Sequence, residues 1–260
     1  MKAKTITMIK AFAVSWILAL AACGGGGGNG GAAPAPAPGP AATSAEGMWI
    51  GSTSTSRSVT GIVLDNGTYW ILYSVPHVSA LIAGAVQGTG TSLNGSFSSS
   101  GGIDFNLEGQ GINNITVSAS YVATQSFNGS VTYPNLNQAF TFTSSYSAEY
   151  DLTPSASAIA GTYTGIASVA GSNELTTIVV SSPGVVVGTG TSGCRFLGTA
   201  MPRTTGNLYD LSVVFDGGVC SNGTSAVTGI GYFDSGAKRL YVAALNKSRS
   251  NGLIFVGIKP

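Results

Sequence analysis

Apolar and polar residues alternate with a period of two along several short segments, and this pattern constrains the fold most. Clear examples are residues 115–121, 209–215 and 240–245. Such alternation predicts strands with one buried face. Turn-forming pairs punctuate the chain at 66–67, 94–95, 128–129, 217–218, 222–223 and 251–252. No segment after residue 23 sustains a helical period, so the sequence predicts an all-β protein.

The second half of the chain divides into about eight strands of similar length. We expect them near residues 161–168, 174–181, 184–191, 194–201, 208–215, 225–233, 239–246 and 252–258. Short, evenly spaced strands indicate a small antiparallel meander, either a barrel or a sandwich. Closing a barrel would also cover the edge of the apolar last strand. In each half of the chain we expect a core without a roomy cavity, so that a barrel of this size is filled by side chains or holds one small ligand.

Short sequence patterns that occur in both halves, which we call echoes, indicate that the two halves have the same architecture. The pattern of residues 47–51 returns at 161–165, and residues 88–92 return unchanged at 188–192. Residues 127–129, 140 and 142 are echoed, also at a spacing of 100, by residues 227–229, 240 and 242. Ordered echoes predict an internal duplication. We therefore expect two tandem calycin-like β-domains at residues 46–153 and 161–260, joined by a junction at 154–160.

The N-terminal residues have the features of an export signal. Basic residues precede a short apolar stretch, Ala11 to Ala22, which is too short to span a bilayer. The run from Leu20 to Cys23 resembles the bacterial lipobox, which implies cleavage after residue 22 and lipid on the thiol and amine of Cys23. The residue that follows Cys23 is Gly24 and not aspartate, which points to the outer membrane. Residues 23–45 then read as the lipidated cysteine and a Gly/Pro/Ala-rich tether. The alternative is a buried helix whose cysteine has no role.

Charged residues are scarce, and this limits the classes of protein to which the chain can belong. Only 8% of the residues are charged and the formal net charge is +1, which argues against nucleic-acid binding. Three basic residues lie in the predicted signal peptide, so the remaining chain is slightly acidic. Acidic residues dominate the first half and basic residues the second. The halves could therefore attract each other, the basic half could face anionic lipid, or the charges could be scattered on the surface.

Two cysteines remain after Cys23. Cys194 and Cys220 flank a predicted hairpin that turns near residues 204–207, so they would lie close together across it. An oxidising compartment favours a disulfide between them. A metal or redox pair is the alternative, but it lacks a nearby histidine and Cys-x-x-Cys spacing.

A search for catalytic or metal-binding groups yields little. His77 is the only histidine, and we expect it in a loop with no catalytic or metal role. No Gly-x-Ser-x-Gly elbow occurs. Residues 188–193 match the dinucleotide pattern GxGxxG, but strands are predicted on both sides where a helix is needed. Asp104 and Glu108 would be about 13 Å apart on one strand, too far for a glycosidase pair, and are expected as exposed strand charges. We predict no cofactor.

Aromatic residues provide the best indication of binding. Several concentrate in the first half, where they either line a ligand mouth or partner surface or pack in the core. The candidates for contact are Trp49, Tyr69, Trp70 and Tyr73, and Tyr121 and Tyr133 belong to the same half.

The second half resembles an uncharacterised family of proteobacterial lipoproteins. The residues that carry this resemblance are 161–165, the pair Cys194 and Cys220, and the runs 228–232, 240–246 and 252–257. The resemblance implies a lipoprotein with β-architecture, and it transfers no catalytic residue.

The sequence therefore favours a non-enzymatic lipoprotein anchored in the outer membrane, acting as a binding or structural module of the envelope. Its partners would be the membrane, through the lipid anchor, and either a small apolar ligand or an envelope protein. One alternative is a calycin-like carrier of a small apolar ligand. Another is a hydrolase that uses Asp or Glu with Ser or Tyr.

Overall fold

The computed structural model describes residues 44–260. The predicted signal peptide, the predicted lipidation site Cys23 and nearly all of the predicted tether lie outside the described residues. Within 44–260, none of the helices has the length and apolar character needed to cross a bilayer.

The first half forms a closed antiparallel barrel. Its strands are β1 (Gly47–Thr53), β2 (Ser58–Val63), β3 (Thr68–Val75), β4 (Val78–Thr89), β5 (Thr91–Leu93), β6 (Ser96–Asn106), β7 (Ile112–Val122), β8 (Ser126–Tyr133) and β9 (Gln138–Tyr146). Sequential strands pair as a meander, and the sheet closes through pairing of β1 with β9 and of β4 with β6. The short β5 pairs only with the start of β6. Eight strands thus form the wall.

The second half forms another closed barrel of eight antiparallel strands. They are β10 (Gly161–Val169), β11 (Ser172–Val180), β12 (Val185–Gly190), β13 (Arg195–Pro202), β14 (Tyr209–Phe215), β15 (Ala226–Asp234), β16 (Arg239–Asn246) and β17 (Gly252–Ile258). Pairing of β10 with β17 closes the meander. The prediction of two tandem all-β barrels is confirmed, and each predicted strand of the second half lies within two residues of an observed one.

Within the described residues, helical structure is confined to short connections. Two 3₁₀ helices span Pro134–Leu136 and Ala148–Asp151, and the four-residue helix α1 spans Ala156–Ile159. The Ser155 side chain caps α1 by accepting a hydrogen bond from the backbone N–H of Ala158, at 3.1 Å. The last two of these elements lie between β9 and β10, and α1 lies within the predicted junction at 154–160.

One predicted turn is wrong. Asn128 and Gly129 lie inside β8, where Gly129 pairs with Ala119 and with Phe142. A Cβ atom at Gly129 would lie 2.3 Å from the carbonyl oxygen of Ser118. This glycine therefore permits a close approach between strands, a role that an Asn-Gly pair does not distinguish from a turn.

The echoes at a spacing of 100 do not join equivalent strands. Residues 127–129 lie in the seventh strand of the first barrel, and 227–229 lie in the sixth strand of the second. The echo of residues 140 and 142 is displaced by one strand in the same way. Only the first echo, 47–51 with 161–165, joins equivalent strands. The halves share an architecture, but the spacing of 100 does not mark it.

Aromatic side chains and α1 fill the second barrel. Phe196 and Phe215 pack with ring centroids 5.3 Å apart, and Tyr163 packs edge-on against Phe233 at 5.9 Å. At one end, Ile159 of α1 is buried against this core. The Tyr163 hydroxyl donates to the carbonyl oxygen of Ile159 at 2.7 Å. The remaining cavity is about 10 Å³, too small for a ligand.

The two barrels share a core between their outer walls. Apolar residues of β2, β3, β4 and β6 pack against those of β15, β16 and β17, together with Leu208, which is fully buried. Arg203 forms an ion pair with Asp65 across this interface at 2.9 Å. Arg249 donates to the carbonyl oxygen of Gly101 at 2.9 Å. The acidic and basic halves thus attract each other at the Asp65–Arg203 pair.

The predicted disulfide between Cys194 and Cys220 is present. Cys194 directly precedes β13 and Cys220 follows β14, and their Cα atoms are 4.7 Å apart. Both cysteines are buried in the core of the second barrel.

Removing this disulfide should destabilise the protein. The double substitution Cys194→Ser and Cys220→Ser releases a loop with a sequence separation of 26 residues, and we expect it to lower the free energy of unfolding by about 3–4 kcal/mol. Urea unfolding followed by far-UV circular dichroism measures the loss. Val219→Ala, an exposed change in the same loop, is the matched control, and equal stability of the double variant and this control would contradict the expectation.

The shared core should couple the two barrels in unfolding. Leu208→Ala leaves a cavity between them and is expected to cost about 2–5 kcal/mol. Both tryptophans of the described residues, Trp49 and Trp70, lie in the first barrel. The unfolding midpoint measured by their fluorescence should therefore move to a lower urea concentration, although the substitution is in the second half. Leu197→Ala, on the exposed outer wall of the second barrel, is the control. An unchanged tryptophan midpoint would show that the barrels unfold independently.

Candidate functional site

The first barrel contains a cavity of about 560 Å³. Alternate residues of each strand point into it, because successive side chains of a strand face opposite sides. The expectation that neither barrel is roomy is wrong for this half. Its wall includes strands of 12 and 11 residues, whereas those of the second barrel have 6 to 9. The longer wall extends beyond the side chains that fill its base.

An aromatic cluster closes one end of the cavity. Phe127 packs against Trp49, Phe97 and Phe142, with ring centroids 5.3 to 5.5 Å apart. The indole N–H of Trp49 donates to the carbonyl oxygen of Ala45 at 2.9 Å, so the segment preceding β1 belongs to this floor. Above it the wall is mainly aliphatic. The aliphatic lining residues of the wall include Val59, Val63, Ile71, Val86, Val117 and Val131.

The other end of the cavity is its mouth. Antiparallel order places the loops β1–β2, β3–β4, β6–β7 and β8–β9 together at this end. Polar residues in or next to these loops line the mouth, among them Thr55, Gln110 and Gln138. The site is thus an apolar pocket with a polar rim.

A buried carboxyl group lies near the mouth. Asp104 of β6 is 2% exposed and lines the cavity. The hydroxyl of Tyr73 donates to its Oδ1 at 2.7 Å, and the hydroxyl of Tyr133 donates to its Oδ2 at 3.0 Å. The Asn106 amide nitrogen in turn donates to the Tyr73 oxygen at 3.0 Å. We call Tyr73, Asp104, Asn106 and Tyr133 the acid–tyrosine cluster.

Glycines in β4 make room for the tyrosines of β3. Gly84 pairs with Tyr73 and Gly88 pairs with Tyr69 across the two strands. A Cβ atom at Gly84 would lie 2.2 Å from the Tyr73 oxygen, and one at Gly88 would lie 2.5 Å from the Tyr69 oxygen. The tyrosine rings therefore lie across β4 and reach β6, where Tyr69 donates to the hydroxyl oxygen of Ser99 at 3.0 Å.

Arg57 is the cation of the cavity lining, and its charge is engaged. One guanidinium nitrogen contacts Glu108 at 2.8 Å, and another donates to the carbonyl oxygen of Ser74 at 2.8 Å. The guanidinium also lies over the Tyr73 ring, 5.5 Å from its centroid. The other charged residues of the lining, Asp104 and Glu108, are acidic.

Burial controls the titration of this cluster. Desolvation raises the pKa of Asp104 above its ordinary value, and the nearby Glu108 adds to the rise. The hydrogen bonds from both tyrosines and the charge of Arg57 oppose it. Burial and the Asp104 charge also raise the pKa values of Tyr73 and Tyr133, so both phenols remain protonated donors at neutral pH.

The predicted contact residues divide between two places. Trp49, Tyr69 and Tyr73 line the cavity, as does Tyr133. Trp70 points outward into the core shared with the second barrel and also lines a smaller cleft of about 150 Å³ there.

The expectation for Asp104 is wrong, because it is a buried lumen residue and not an exposed strand charge. Glu108 lies in the loop after β6, at the mouth. Sequence reasoning also missed Arg57 and Asn106. One feature of the sequence indicates where the tyrosine rings lie. Gly84 and Gly88 are four residues apart, as are Tyr69 and Tyr73, which matches the room that each ring needs on the neighbouring strand.

His77 lies in the exposed turn between β3 and β4, with a left-handed backbone φ of 61°. Residues 44–260 contain no cluster of three or more His, Cys, Asp or Glu side chains that could hold a metal ion.

Comparisons with known proteins give little further information. No protein-family model matches the chain, and no curated protein matches it. Among solved structures, the chain is similar to a predicted outer membrane protein of Bacteroides fragilis, with 15% identity over 82% of this chain and 96% of that one, and a TM-score of 0.27. It is also similar to a variant of the vaccine antigen transferrin binding protein B of Haemophilus parasuis, with 12% identity over 78% and 54% and a TM-score of 0.28. At these scores neither likeness carries an argument about function.

Asp104 should make stability depend on pH. A raised carboxyl pKa means that the folded protein binds this proton more tightly than the unfolded chain, so stability falls as pH rises from about 4, the ordinary aspartate range, through the raised value. Asp104→Asn should remove this fall. Urea unfolding of both proteins across this range measures it, with Asp151→Asn on the surface as control. A fall of equal size in Asp104→Asn would assign the effect elsewhere.

Proposed function

We propose that this protein is a non-enzymatic binding module of the cell envelope, and that its first barrel carries a small apolar ligand. The cavity of the first barrel is the observation that carries the proposal. Its volume of about 560 Å³ lies within the range of about 300–1,000 Å³ found for small-molecule sites. Its apolar wall, closed floor and polar rim match the usual composition of such sites.

The second barrel supports this interpretation by contrast. It also has eight strands, yet its interior is filled and retains only about 10 Å³. An eight-stranded wall can therefore be packed solid by this chain. The space in the first barrel is a property of its particular side chains, and a filled second barrel suits a supporting role.

Binding explains the polar groups better than hydrolysis does. A hydrolase needs a nucleophile that an adjacent base can activate. Burial raises the pKa values of Tyr73 and Tyr133, which opposes conversion of either phenol into a nucleophile by Asp104. The Ser144 hydroxyl, which lines the cavity, donates to the backbone oxygen of Phe127 and not to a base. These hydrogen bonds fix the orientation of the polar groups, as expected of a preorganised recognition site.

The envelope location rests on the N-terminal sequence. The signal-like residues 1–22 and the lipobox-like run that ends at Cys23 support export and lipid anchoring in the outer membrane. The Cys194–Cys220 disulfide is consistent with an oxidising compartment outside the cytoplasm.

Filling the cavity should abolish ligand binding. Gly61 lines the cavity, and a Cβ atom there would have no neighbour closer than 3.7 Å, so a larger side chain can enter the space without a backbone clash. We expect the neutral fluorophore N-phenyl-1-naphthylamine to brighten on binding to the natural protein. Gly61→Phe should weaken this binding by about tenfold or more, which corresponds to about 1.4 kcal/mol.

Val122→Phe is the matched control, because it adds the same ring at an exposed position of β7. It should bind the fluorophore as the natural protein does. If the natural protein does not bind the fluorophore, or if Gly61→Phe binds it as well as Val122→Phe, the cavity is not a ligand site.

A further inference from the structure

We propose that the ligand of the first barrel has an apolar body and one cationic amine end, and that this end lies beside Asp104. The inference rests on the proposed binding of an apolar ligand in the same cavity and adds the chemistry of its polar group. Two observations near the mouth support it: the hydroxyl hydrogens there already form hydrogen bonds within the protein, and the charged groups of the lining sum to a negative charge.

The hydroxyl donors of the acid–tyrosine cluster are already committed. Tyr73 and Tyr133 each donate their single hydroxyl hydrogen to Asp104, at 2.7 and 3.0 Å. The Tyr73 oxygen already accepts from the Asn106 amide, but the Tyr133 oxygen and both carboxylate oxygens of Asp104 retain further lone pairs. The cluster therefore offers acceptors to a ligand, and a donor such as an ammonium group fits it better than a carboxylate.

The charge balance points the same way. Arg57 is neutralised by Glu108 and also held by the Ser74 carbonyl and the face of Tyr73. Asp104 has no ion-pair partner of its own within 4.0 Å among the described residues. Its ionisation leaves the lining of the cavity with a net negative charge. A cationic end would neutralise this charge, while a carboxylate would be repelled by it.

Burial supports this placement. Asp104 is nearly inaccessible, and a buried carboxylate without a cation costs free energy. The groups that face it are Tyr73 from β3, Tyr133 from β8, Arg57 between β1 and β2, and Glu108 after β6. An amine beside Asp104 would stabilise its ionised form, so ligand binding and loss of the Asp104 proton should be coupled.

A competition experiment tests the proposal. N-phenyl-1-naphthylamine is bound to the purified protein at neutral pH and displaced in separate titrations by dodecylamine, dodecanol and dodecanoic acid, which share one apolar chain. We expect dodecylamine to compete about tenfold more strongly than dodecanoic acid, with dodecanol between them. Asp104→Asn should remove this preference, measured within one protein as the ratio of the dodecylamine and dodecanoic acid inhibition constants, whereas Val122→Phe on the exposed face of β7 should keep it.

Glu108→Gln provides a second variant on the exposed rim. It frees the Arg57 guanidinium from its ion pair, so dodecanoic acid should compete more strongly, relative to dodecanol, than it does with the natural protein. This result is readable even if Asp104→Asn does not fold.

The outcomes separate the two proposals. Failure of the fluorophore to bind contradicts the proposed function itself. Binding of the fluorophore with no displacement by dodecylamine, with equal or stronger displacement by dodecanoic acid, or with an amine preference that survives Asp104→Asn, overturns only the amine assignment.

Discussion

Closure of each sheet by backbone hydrogen bonds is the constraint on which the rest of this structure depends. Pairing of β4 with β6 and of β1 with β9 completes the first wall, and pairing of β10 with β17 completes the second. A closed wall of eight strands has no edge strand among them and therefore needs no edge protection. It also divides every strand into residues that face the lumen and residues that face outward. What differs between the two barrels is consequently the content of the lumen.

The sequence predicts the second barrel well because one face of most of its strands is buried and the other exposed. In β14 the pattern alternates through Tyr209, Leu211, Val213 and Phe215, and the burial alternates with it. The first barrel is harder to predict from the sequence, because part of its wall is covered on both sides. Along β3, residues 69–73 are uninterrupted apolar or aromatic residues: Tyr69 and Tyr73 face the lumen, while Trp70 faces the second barrel. Where both faces are buried, alternation no longer identifies the inside.

The same ambiguity concealed Asp104. Its neighbours Ile103 and Phe105 are the apolar residues of that segment, and a reader of the sequence places them in the lumen and the acid outside. In the structure, Ile103 and Phe105 pack into the core shared with the second barrel, and Asp104 faces the cavity. Knowing which face of β6 is the lumen requires knowing that another barrel covers its outer side. That contact joins residues far apart in the chain, so no local pattern contains it.

This arrangement gives the filled barrel a role in the open one. A carboxyl group in an apolar lumen lowers stability, and the hydrogen bonds from Tyr73 and Tyr133 offset only part of that cost. Ile103 and Phe105 on either side of Asp104 are almost completely buried against the second barrel, and each buried side chain of this size contributes about 1.5–3 kcal/mol. The strand that bears the unfavourable group is thus held by its outer face. A first barrel without its neighbour would expose these two residues, and β6 would lose the packing that keeps Asp104 pointed into the cavity.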